Sequence, residues 1–261
     1  MLLPFPRDLT ILDFSQVRAT RFEFEYRFWI IAAIYALGFS FSRLDTSAIA
    51  ALRHLLAPGI GSNRHAAASF ARTMIAAGAL LVFAAAILRT WATAYLRSEV
   101  VHDTRQHSDT LVADGPYRFT RNSLYLANVP MAAGIGVLSS RLGWFFLVGA
   151  SWLFVYRLIL REEEALRQGQ GESYRAYCDA VPRFWPSLTP RVPPGSRPAH
   201  WGQALIGESF IWIFGIAQLA MSVTLSTPIG LTVFAAGFVA HFTLIPLVRK
   251  NPRKSWLEPT D

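Results

Sequence analysis

Long apolar segments separated by charged loops are the feature of this sequence that most constrains its fold. The chain has 261 residues, of which 52% are hydrophobic and only 16% are charged, whereas an ordinary soluble domain carries about 25% charged residues. Because so few charges cannot cover a soluble surface of this size, we expect a membrane protein. The candidate spanning segments are residues 26–42, 73–96, 122–140, 142–160, 209–226 and 228–248.

Each apolar segment is predicted to be an α-helix, because hydrocarbon offers no partner for unsatisfied backbone groups. The predicted fold class is therefore all-α, a polytopic membrane protein with about six transmembrane helices. Arg141 alone separates the third segment from the fourth, and Thr227 alone separates the fifth from the sixth. These short connections predict two helical hairpins. The first segment barely reaches spanning length, which leaves the topology of residues 26–72 open.

Basic residues are distributed unevenly between the loops. The formal net charge is +8, and arginine and lysine concentrate in residues 97–121, 161–208 and 249–261. By the positive-inside rule, these regions are predicted to lie in the cytoplasm. Residues 43–72 are also basic although helix alternation places them outside, and the apolar spacing of 46–57 predicts an interfacial helix there. Because no nucleic-acid-binding motif accompanies the charge, we expect membrane lipids as partners and no nucleic acid.

Metal and nucleophile motifs are sparse. The single cysteine, Cys178, excludes an internal disulfide and a multi-cysteine metal site. One loop brings together His102, Asp103, His107 and Asp109, and a metal site there is conceivable, although the spacing matches no zinc pattern. The sequence has no Walker, HExxH or GxSxG motif, and no metal ligands are assigned.

A first cluster of polar residues, 111–125, precedes the third apolar segment. Gly115 and Pro116 predict a turn. Arg118 and Arg121 are three residues apart and therefore share a face at the mouth of a helix. Guanidinium groups and the free N–H groups of a helix start favour a bound carboxylate or phosphate. Ordinary arginines that reach for the membrane surface give the same spacing, so this alternative stays open.

A second cluster, residues 161–186, follows the fourth apolar segment. The helix is predicted to continue out of the membrane until Gly169 and Gly171 interrupt it. Glu163 lies seven residues after Tyr156, which places both on one helix face. A carboxylate at this position is suited to hold an ammonium group or ribose hydroxyls. The alternative is a solvated helix end that pairs with its own arginines.

Two arginines lie inside apolar segments. A charge at membrane depth is costly and usually faces a polar site. Arg157 is near the end of its segment and can extend to the membrane surface. Arg89 is about seven residues from the end of its segment, roughly 10 Å at the helical rise, where such extension is strained. Arg89 is therefore a candidate functional residue.

The two clusters keep the order and spacing of a known set of motifs. The matching residues are Leu88-Arg89-Thr90-Trp91-Ala92, Gly115-Pro116-Tyr117-Arg118, Arg121-Asn122-Ser123-Leu124-Tyr125, Glu162-Glu163, Leu166, Gly171, Tyr174, Tyr177 and Pro182-Arg183-Phe184-Trp185-Pro186. They resemble the isoprenylcysteine carboxyl methyltransferase family, within the wider group of membrane phospholipid and thiol methyltransferases. The chain departs from that pattern at Asn122-Ser123, where the family has His-Pro, and also at Ala127 and Gln170.

The resemblance implies a methyltransferase that uses S-adenosylmethionine and acts on a lipophilic isoprenoid, phospholipid or thiol substrate. It implies a cofactor pocket on the cytoplasmic side, with a lipid-facing entrance between helices. The implied cofactor-binding residues are Tyr117, Asn122, Tyr125, Glu162, Glu163, Tyr174 and Tyr177. The implied catalytic residues, which would orient an anionic substrate, are Arg89, Arg121 and Arg183.

Three regions follow from this interpretation. Residues 1–72 hold the first helix and the interfacial loop, residues 73–190 form the methyltransferase-like core, and residues 191–261 form a linker and the last hairpin. One alternative is an NADPH-dependent membrane reductase of the sterol-reductase type, against which the Glu162–Glu163 pair argues. The other is a non-catalytic lipid-binding relative, which the Asn122-Ser123 change favours. The methyl acceptor and any protein partner stay open.

Overall fold

A computed structural model describes residues 17–60, 63–96, 113–195 and 197–249. This part of the chain is mostly helical and contains no β-strand beyond a single bridge between Ser47 and Ser140. The helices are α1 (Arg21–Glu25), α2 (Arg27–Ser40), α3 (Ala48–Leu56), α4 (Arg64–Tyr95), α5 (Ser123–Leu126), α6 (Asn128–Gly136), α7 (Arg141–Ala180), α8 (Trp201–Gly207), α9 (Ser209–Thr224) and α10 (Thr227–Arg249). The predicted all-α class is confirmed for these residues.

The helices that are long and apolar enough to cross a membrane are fewer than the six predicted. Among the described residues α4 and α7 qualify, and α8 with α9 counts as a third span if this pair, bent by 59°, is taken as one. The first predicted segment forms α2, with 14 residues, or about 21 Å at the helical rise against about 30 Å of hydrocarbon. The third predicted segment forms the shorter helices α5 and α6. The helix is interrupted at Ala127, and Pro130 is tolerated only in the first turn of a helix.

Helix α4 lies between α6 and α9 and packs closely on both. A Cβ added to Gly78 would lie 2.7 Å from the Gly134 carbonyl oxygen, and one added to Gly134 would lie 2.5 Å from the Gly78 carbonyl oxygen. Gln218 of α9 donates through Nε2 to the same Gly134 carbonyl at 2.9 Å. The α6–α7 and α9–α10 pairs form the two predicted hairpins. The small residues at this crossing therefore bring three helices together.

Polar contacts gather at the start of α7 and again around Glu163, before the kink of this helix. At its start, Asp45 accepts a hydrogen bond from Leu142 N at 2.8 Å and lies 3.2 Å from Arg141 Nη2. This contact holds the loop before α3, and α3 itself is the helix predicted within residues 46–57. Glu163 lies 22 residues after Arg141, or about 33 Å along the helix. These two groups of polar contacts are therefore separated by about the thickness of a bilayer core.

The kink in α7 occurs at Gly171, one of the two glycines predicted to interrupt this helix. Gly171 has φ 55° and ψ −124°, a conformation that residues with a side chain rarely adopt. Gly169 stays within the helix. After the kink, Tyr177 donates from its hydroxyl to the Tyr117 carbonyl at 2.7 Å. The kink therefore folds the end of α7 onto the segment before α5.

Gly171→Ala is expected to destabilise the protein by about 1–3 kcal/mol, because alanine at this φ is strained. Gly149→Ala in the same helix is the matched control, since an added Cβ meets nothing within 4 Å at either position and only Gly171 has a positive φ. The control is expected to stabilise by about 0.5–1 kcal/mol. Thermal unfolding in detergent measures both, and equal shifts would contradict the assigned kink.

Candidate active site

Glu163 is the point at which the two predicted clusters meet. Its side chain is 1% exposed. Asn122 Nδ2 donates to Oε1 at 3.0 Å, and Arg183 Nε donates to Oε2 at 3.0 Å. Arg167 Nη2 and Arg121 Nε each lie 3.4 Å from a carboxylate oxygen. We call these five residues the Glu163 centre. A carboxylate can be buried in this way only when charged hydrogen-bond donors surround it, as they do here.

Backbone contacts lock the two segments together around this centre. Thr120 Oγ1 donates to the Phe184 carbonyl at 3.0 Å, and Arg121 N donates to the Pro182 carbonyl at 3.0 Å. Asn122 also donates to the Arg183 carbonyl at 3.0 Å. Asn122 stands at the N-cap position of α5 but makes no capping hydrogen bond there. Its side-chain amide instead links the start of α5 to Glu163 and to the Arg183 carbonyl.

The Glu163 centre carries more positive than negative charge. Three arginines face the one carboxylate, and the side chains of Arg167 and Arg183 remain 38% and 34% exposed. Burial lowers the pKa of Arg183, but its hydrogen bond to Glu163 and the charge of Glu163 outweigh burial and raise that pKa. The Arg183 guanidinium therefore stays charged. On its exposed side, the centre is suited to receive an anionic group.

Buried tyrosines lie against the centre. Tyr174 and Tyr177 pack together with Val181, and Tyr174 is 1% exposed. The Tyr117 hydroxyl is buried and has no hydrogen-bond partner within the described ranges. Burial raises the pKa of Tyr117 well above its ordinary value, so the hydroxyl stays protonated. A buried O–H group without a protein acceptor is a place where a ligand atom is readily accommodated.

A second polar network runs from Glu162 into the helix bundle. Tyr125 donates from its hydroxyl to Glu162, and Asn128 Nδ2 donates to the Tyr125 carbonyl at 3.3 Å. Arg89 Nη1 then donates to Asn128 Oδ1 at 3.3 Å. Arg89 also binds Glu208, with Nε 2.7 Å from Oε2 and Nη2 3.2 Å from Oε1. The network links the first segment of the resemblance to a carboxylate outside it.

Glu208 is the residue that the sequence interpretation missed. It is fully buried and also accepts a hydrogen bond from Thr93 Oγ1 at 2.8 Å. The sequence did contain a signal for this residue, because a lone carboxylate directly before an apolar segment is costly in a membrane unless an opposite charge pairs with it. Arg89 provides that charge. The other arginine inside an apolar segment, Arg157, is paired in the same way, with Glu23 at 2.8 Å.

Seven of the ten predicted site residues therefore fall into two groups, and Tyr117, Tyr174 and Tyr177 lie together outside both. The Glu163 centre holds Arg121, Asn122 and Arg183, and the second network holds Arg89, Tyr125 and Glu162. All three predicted catalytic arginines have a carboxylate partner within the protein. Their role in orienting an anionic substrate stays a prediction, and such a substrate would have to bind arginines that are already paired with carboxylates.

The loop at which the sequence left a metal site open lies outside the described residues. That loop comprises His102, Asp103, His107 and Asp109. Within the described residues no group of three or more histidines, cysteines or carboxylates is placed to hold a metal ion.

An apolar groove of about 360 Å³ opens between α4, α8 and α9. Its lining residues are Ile87, Thr90, Trp91, Trp201, Leu205 and Trp212. Trp212 Nε1 donates to Thr90 Oγ1 at 3.1 Å, which fixes one aromatic wall. None of the ten predicted site residues lines this groove, so an apolar ligand there would lie apart from the polar groups of the Glu163 centre.

Residues 73–172 match the model of the phospholipid methyltransferase family. Over these 100 residues the chain is similar to that family. The match includes Arg89, Asn122, Tyr125, Glu162 and Glu163, and it ends one residue after the kink of α7. The resemblance recognised from the sequence is thereby confirmed. Arg183 of the Glu163 centre and the α8–α9 segment lie beyond the part of the chain matched to the phospholipid methyltransferases.

Two curated proteins resemble the chain over a longer stretch. The cobalt-zinc-cadmium resistance protein CzcN of Cupriavidus metallidurans is 23% identical over 151 residues, 57% of this chain and 66% of that protein. The nickel-cobalt-cadmium resistance protein NccN of Alcaligenes xylosoxydans xylosoxydans is 23% identical over 155 residues, 59% of this chain and 69% of that protein. The chain thus spans about two thirds of the length of these relatives. No solved structure matches the chain significantly.

Proposed function

We propose that the protein is an integral membrane methyltransferase that transfers a methyl group from S-adenosylmethionine to a lipophilic acceptor. The contact of the two motif clusters at Glu163 carries this proposal, because Asn122 and Glu163 lie 41 positions apart in the chain and meet at one buried carboxylate. The family match of residues 73–172 supports the reaction type. The long apolar helices α4 and α7 support a membrane location.

The residues of the centre fit the groups that S-adenosylmethionine carries. Arg121 and Arg183 suit its carboxylate, and Glu162 suits its ammonium group or ribose hydroxyls. Glu163 holds these arginines and Asn122 in place. The buried Tyr117 hydroxyl, without a partner in the described chain, supplies a donor to a ligand atom. When bound, the cofactor supplies a methyl group whose bond to sulfur breaks as a lone pair of the acceptor forms the new bond. The protein's part is to bind, to orient and to set the local charge.

Titration of the purified protein with S-adenosylmethionine and with NADPH, side by side in a calorimeter, tests the proposal. We expect heat with S-adenosylmethionine and none with NADPH. Heat with NADPH alone would favour a membrane reductase. No heat with either compound would favour a lipid-binding relative without catalysis, and both of these results contradict the proposal.

Asn122→Ala is expected to weaken S-adenosylmethionine binding, because Asn122 fixes Glu163 and the Arg183 carbonyl. A buried acceptor that loses its donor costs about 1–3 kcal/mol, or roughly five- to a hundred-fold in affinity. Asn122→His is the conservative partner, since imidazole keeps a donor at this position. Binding by Asn122→His but not by the unaltered protein would mean that the pocket has lapsed at this residue, and the proposed function would fail.

The Glu163 centre is expected to face the cytoplasm, because arginine and lysine concentrate in the loops at that end. Gln168→Cys and Leu44→Cys, each in a Cys178→Ser background, place exposed thiols at opposite ends of the bundle. A membrane-impermeant maleimide applied to intact cells should label position 44 and spare position 168. Labelling of position 168 alone would reverse the orientation.

A further inference from the structure

A small cavity lies at the junction of α2, α6 and α7. Its volume is about 10 Å³, and it is lined by Ile31, Tyr35, Asn128, Met131, Ser151 and Val155. None of these residues belongs to the Glu163 centre or lines the apolar groove. A water molecule needs about 10–15 Å³ of such space. The cavity therefore has room for about one water molecule and for no larger ligand.

Two hydroxyl groups in this lining have no hydrogen-bond partner in the described part of the chain. They belong to Tyr35 and Ser151, and both oxygen atoms are buried. A serine inside a helix can donate to the carbonyl of the preceding turn, as Ser222 does to the Leu219 carbonyl at 2.7 Å. Ser151 makes no such bond to any described residue, so its hydroxyl is available to the cavity.

Asn128 supplies a third polar group to the lining. Its Nδ2 donates to the Tyr125 carbonyl, and its Oδ1 accepts from Arg89 Nη1, both at 3.3 Å. A side-chain amide has two N–H groups and two acceptor lone pairs. These two contacts therefore leave one N–H group and one lone pair of Asn128 for a further partner.

The cavity lies near the middle of the spanning part of α7. Ser151 is ten residues after Arg141 and twelve before Glu163, or about 15 Å and 18 Å along the helix. Hydrocarbon at this depth offers no partner to a polar group, and a buried hydroxyl without a hydrogen bond is costly. The polar lining therefore favours an occupant that forms hydrogen bonds and disfavours an apolar one.

We propose that this cavity binds one water molecule, which forms hydrogen bonds with Tyr35, Ser151 and Asn128. A buried water typically makes about three hydrogen bonds, and these three side chains provide them. Helix α2 lies before residue 73, where the family match begins, whereas α6 and α7 lie mostly within it. The water thus joins a helix outside the match to the polar network around Arg89. The site goes beyond the proposed function and does not depend on methyl transfer.

Tyr35→Phe and Ser151→Ala each remove one partner of the water. Each is expected to lower the folding equilibrium constant in detergent by about two- to ten-fold, the effect of one lost hydrogen bond. The double variant is expected to lose less than the product of the two single losses, because both changes act on the same water. Single variants that are more stable than the unaltered protein would show hydroxyls buried without a partner, and would overturn the site. Single losses that multiply in full would overturn the shared water.

Ser222→Ala is the matched control for Ser151→Ala. Ser222 is 5% exposed and Ser151 is 6% exposed, but the Ser222 hydroxyl already donates to a carbonyl. Combined with Tyr35→Phe, Ser222→Ala is expected to give losses that multiply. Decanol added to the detergent separates water from a lipid hydroxyl as the occupant. Stabilisation of the unaltered protein by decanol, absent in Ser151→Ala, would assign the cavity to a lipid and overturn the proposal.

Hydroxyl-radical footprinting with short X-ray pulses detects the water itself, because radicals formed from a bound water oxidise the side chain next to it. Met131 lines the cavity and is 7% exposed, so bulk solvent reaches it poorly. We expect oxidation of Met131 in the unaltered protein and in Ser222→Val, and its loss in Ser151→Val, whose methyl groups occupy the cavity. Equal oxidation of Met131 in the two valine variants would overturn the site.

Discussion

Glu163→Gln is expected to lower the free energy of unfolding by about 3–5 kcal/mol, because it leaves buried positive charge without its counter-ion. Arg121, Arg167 and Arg183 all face this one carboxylate, and the side chain of Arg121 is only 9% exposed. Glutamine keeps the shape and can still accept a hydrogen bond, but it cannot balance three guanidinium groups. Unfolding in detergent, followed by circular dichroism, measures the loss.

Glu164→Gln is the matched control for this change. Glu164 is the next residue on α7, is 28% exposed, and pairs with Arg18 and Arg167 at 3.4 and 3.7 Å. Pairs exposed to this degree typically contribute no more than about 1 kcal/mol. Glu163→Gln should also weaken S-adenosylmethionine binding by roughly ten- to a hundred-fold, whereas Glu164→Gln should not. Equal effects of the two changes would reject Glu163 as the centre of the site.

Arg89→Gln is expected to destabilise the protein by about 3–5 kcal/mol, because it removes the bidentate guanidinium partner of the fully buried Glu208 carboxylate. This contact joins α4, within the family match, to the start of α9, beyond it. Removing Glu208 as well should recover much of the loss, since replacing both members of a buried pair is often nearly neutral. A double-mutant cycle over Arg89→Gln and Glu208→Gln measures this coupling.

Additive losses in that cycle would contradict the pairing. Arg157→Gln offers a comparison on the other side of the bundle, because Arg157 pairs with Glu23 but both side chains are about one quarter exposed. Its loss is expected to be smaller than that of Arg89→Gln, since water can solvate the charge that remains.

Local patterns in the sequence predicted much of the architecture. The apolar segments and their short connections predicted both hairpins. The glycines near the end of α7 predicted its kink, which the structure locates at Gly171. The number of spans was not predictable in the same way. Hydropathy does not register the break at Ala127, which follows from Pro130, because proline has no N–H to donate to the Leu126 carbonyl.

The candidate site was predictable where its contacts follow from motif spacing and not where they depend on the fold. The pairing of Asn122 with Glu163 crosses 41 residues, and no local pattern in the sequence specifies it. The pairing of Arg89 with Glu208 crosses 119 residues, and only the packing of α9 on α4 creates it. In both cases the contact depends on tertiary packing and not on motif spacing.

The most direct test of methyl transfer follows the methyl group itself. Purified protein in nanodiscs is incubated with methyl-tritiated S-adenosylmethionine and a lipid extract of the membranes in which it is expressed, and label is counted in the organic phase. The account predicts protein-dependent label in that phase, reduced at least about ten-fold by Glu163→Gln and retained by Glu164→Gln. Label that stays in the aqueous phase at the level of protein-free nanodiscs, while S-adenosylmethionine binds, would contradict it.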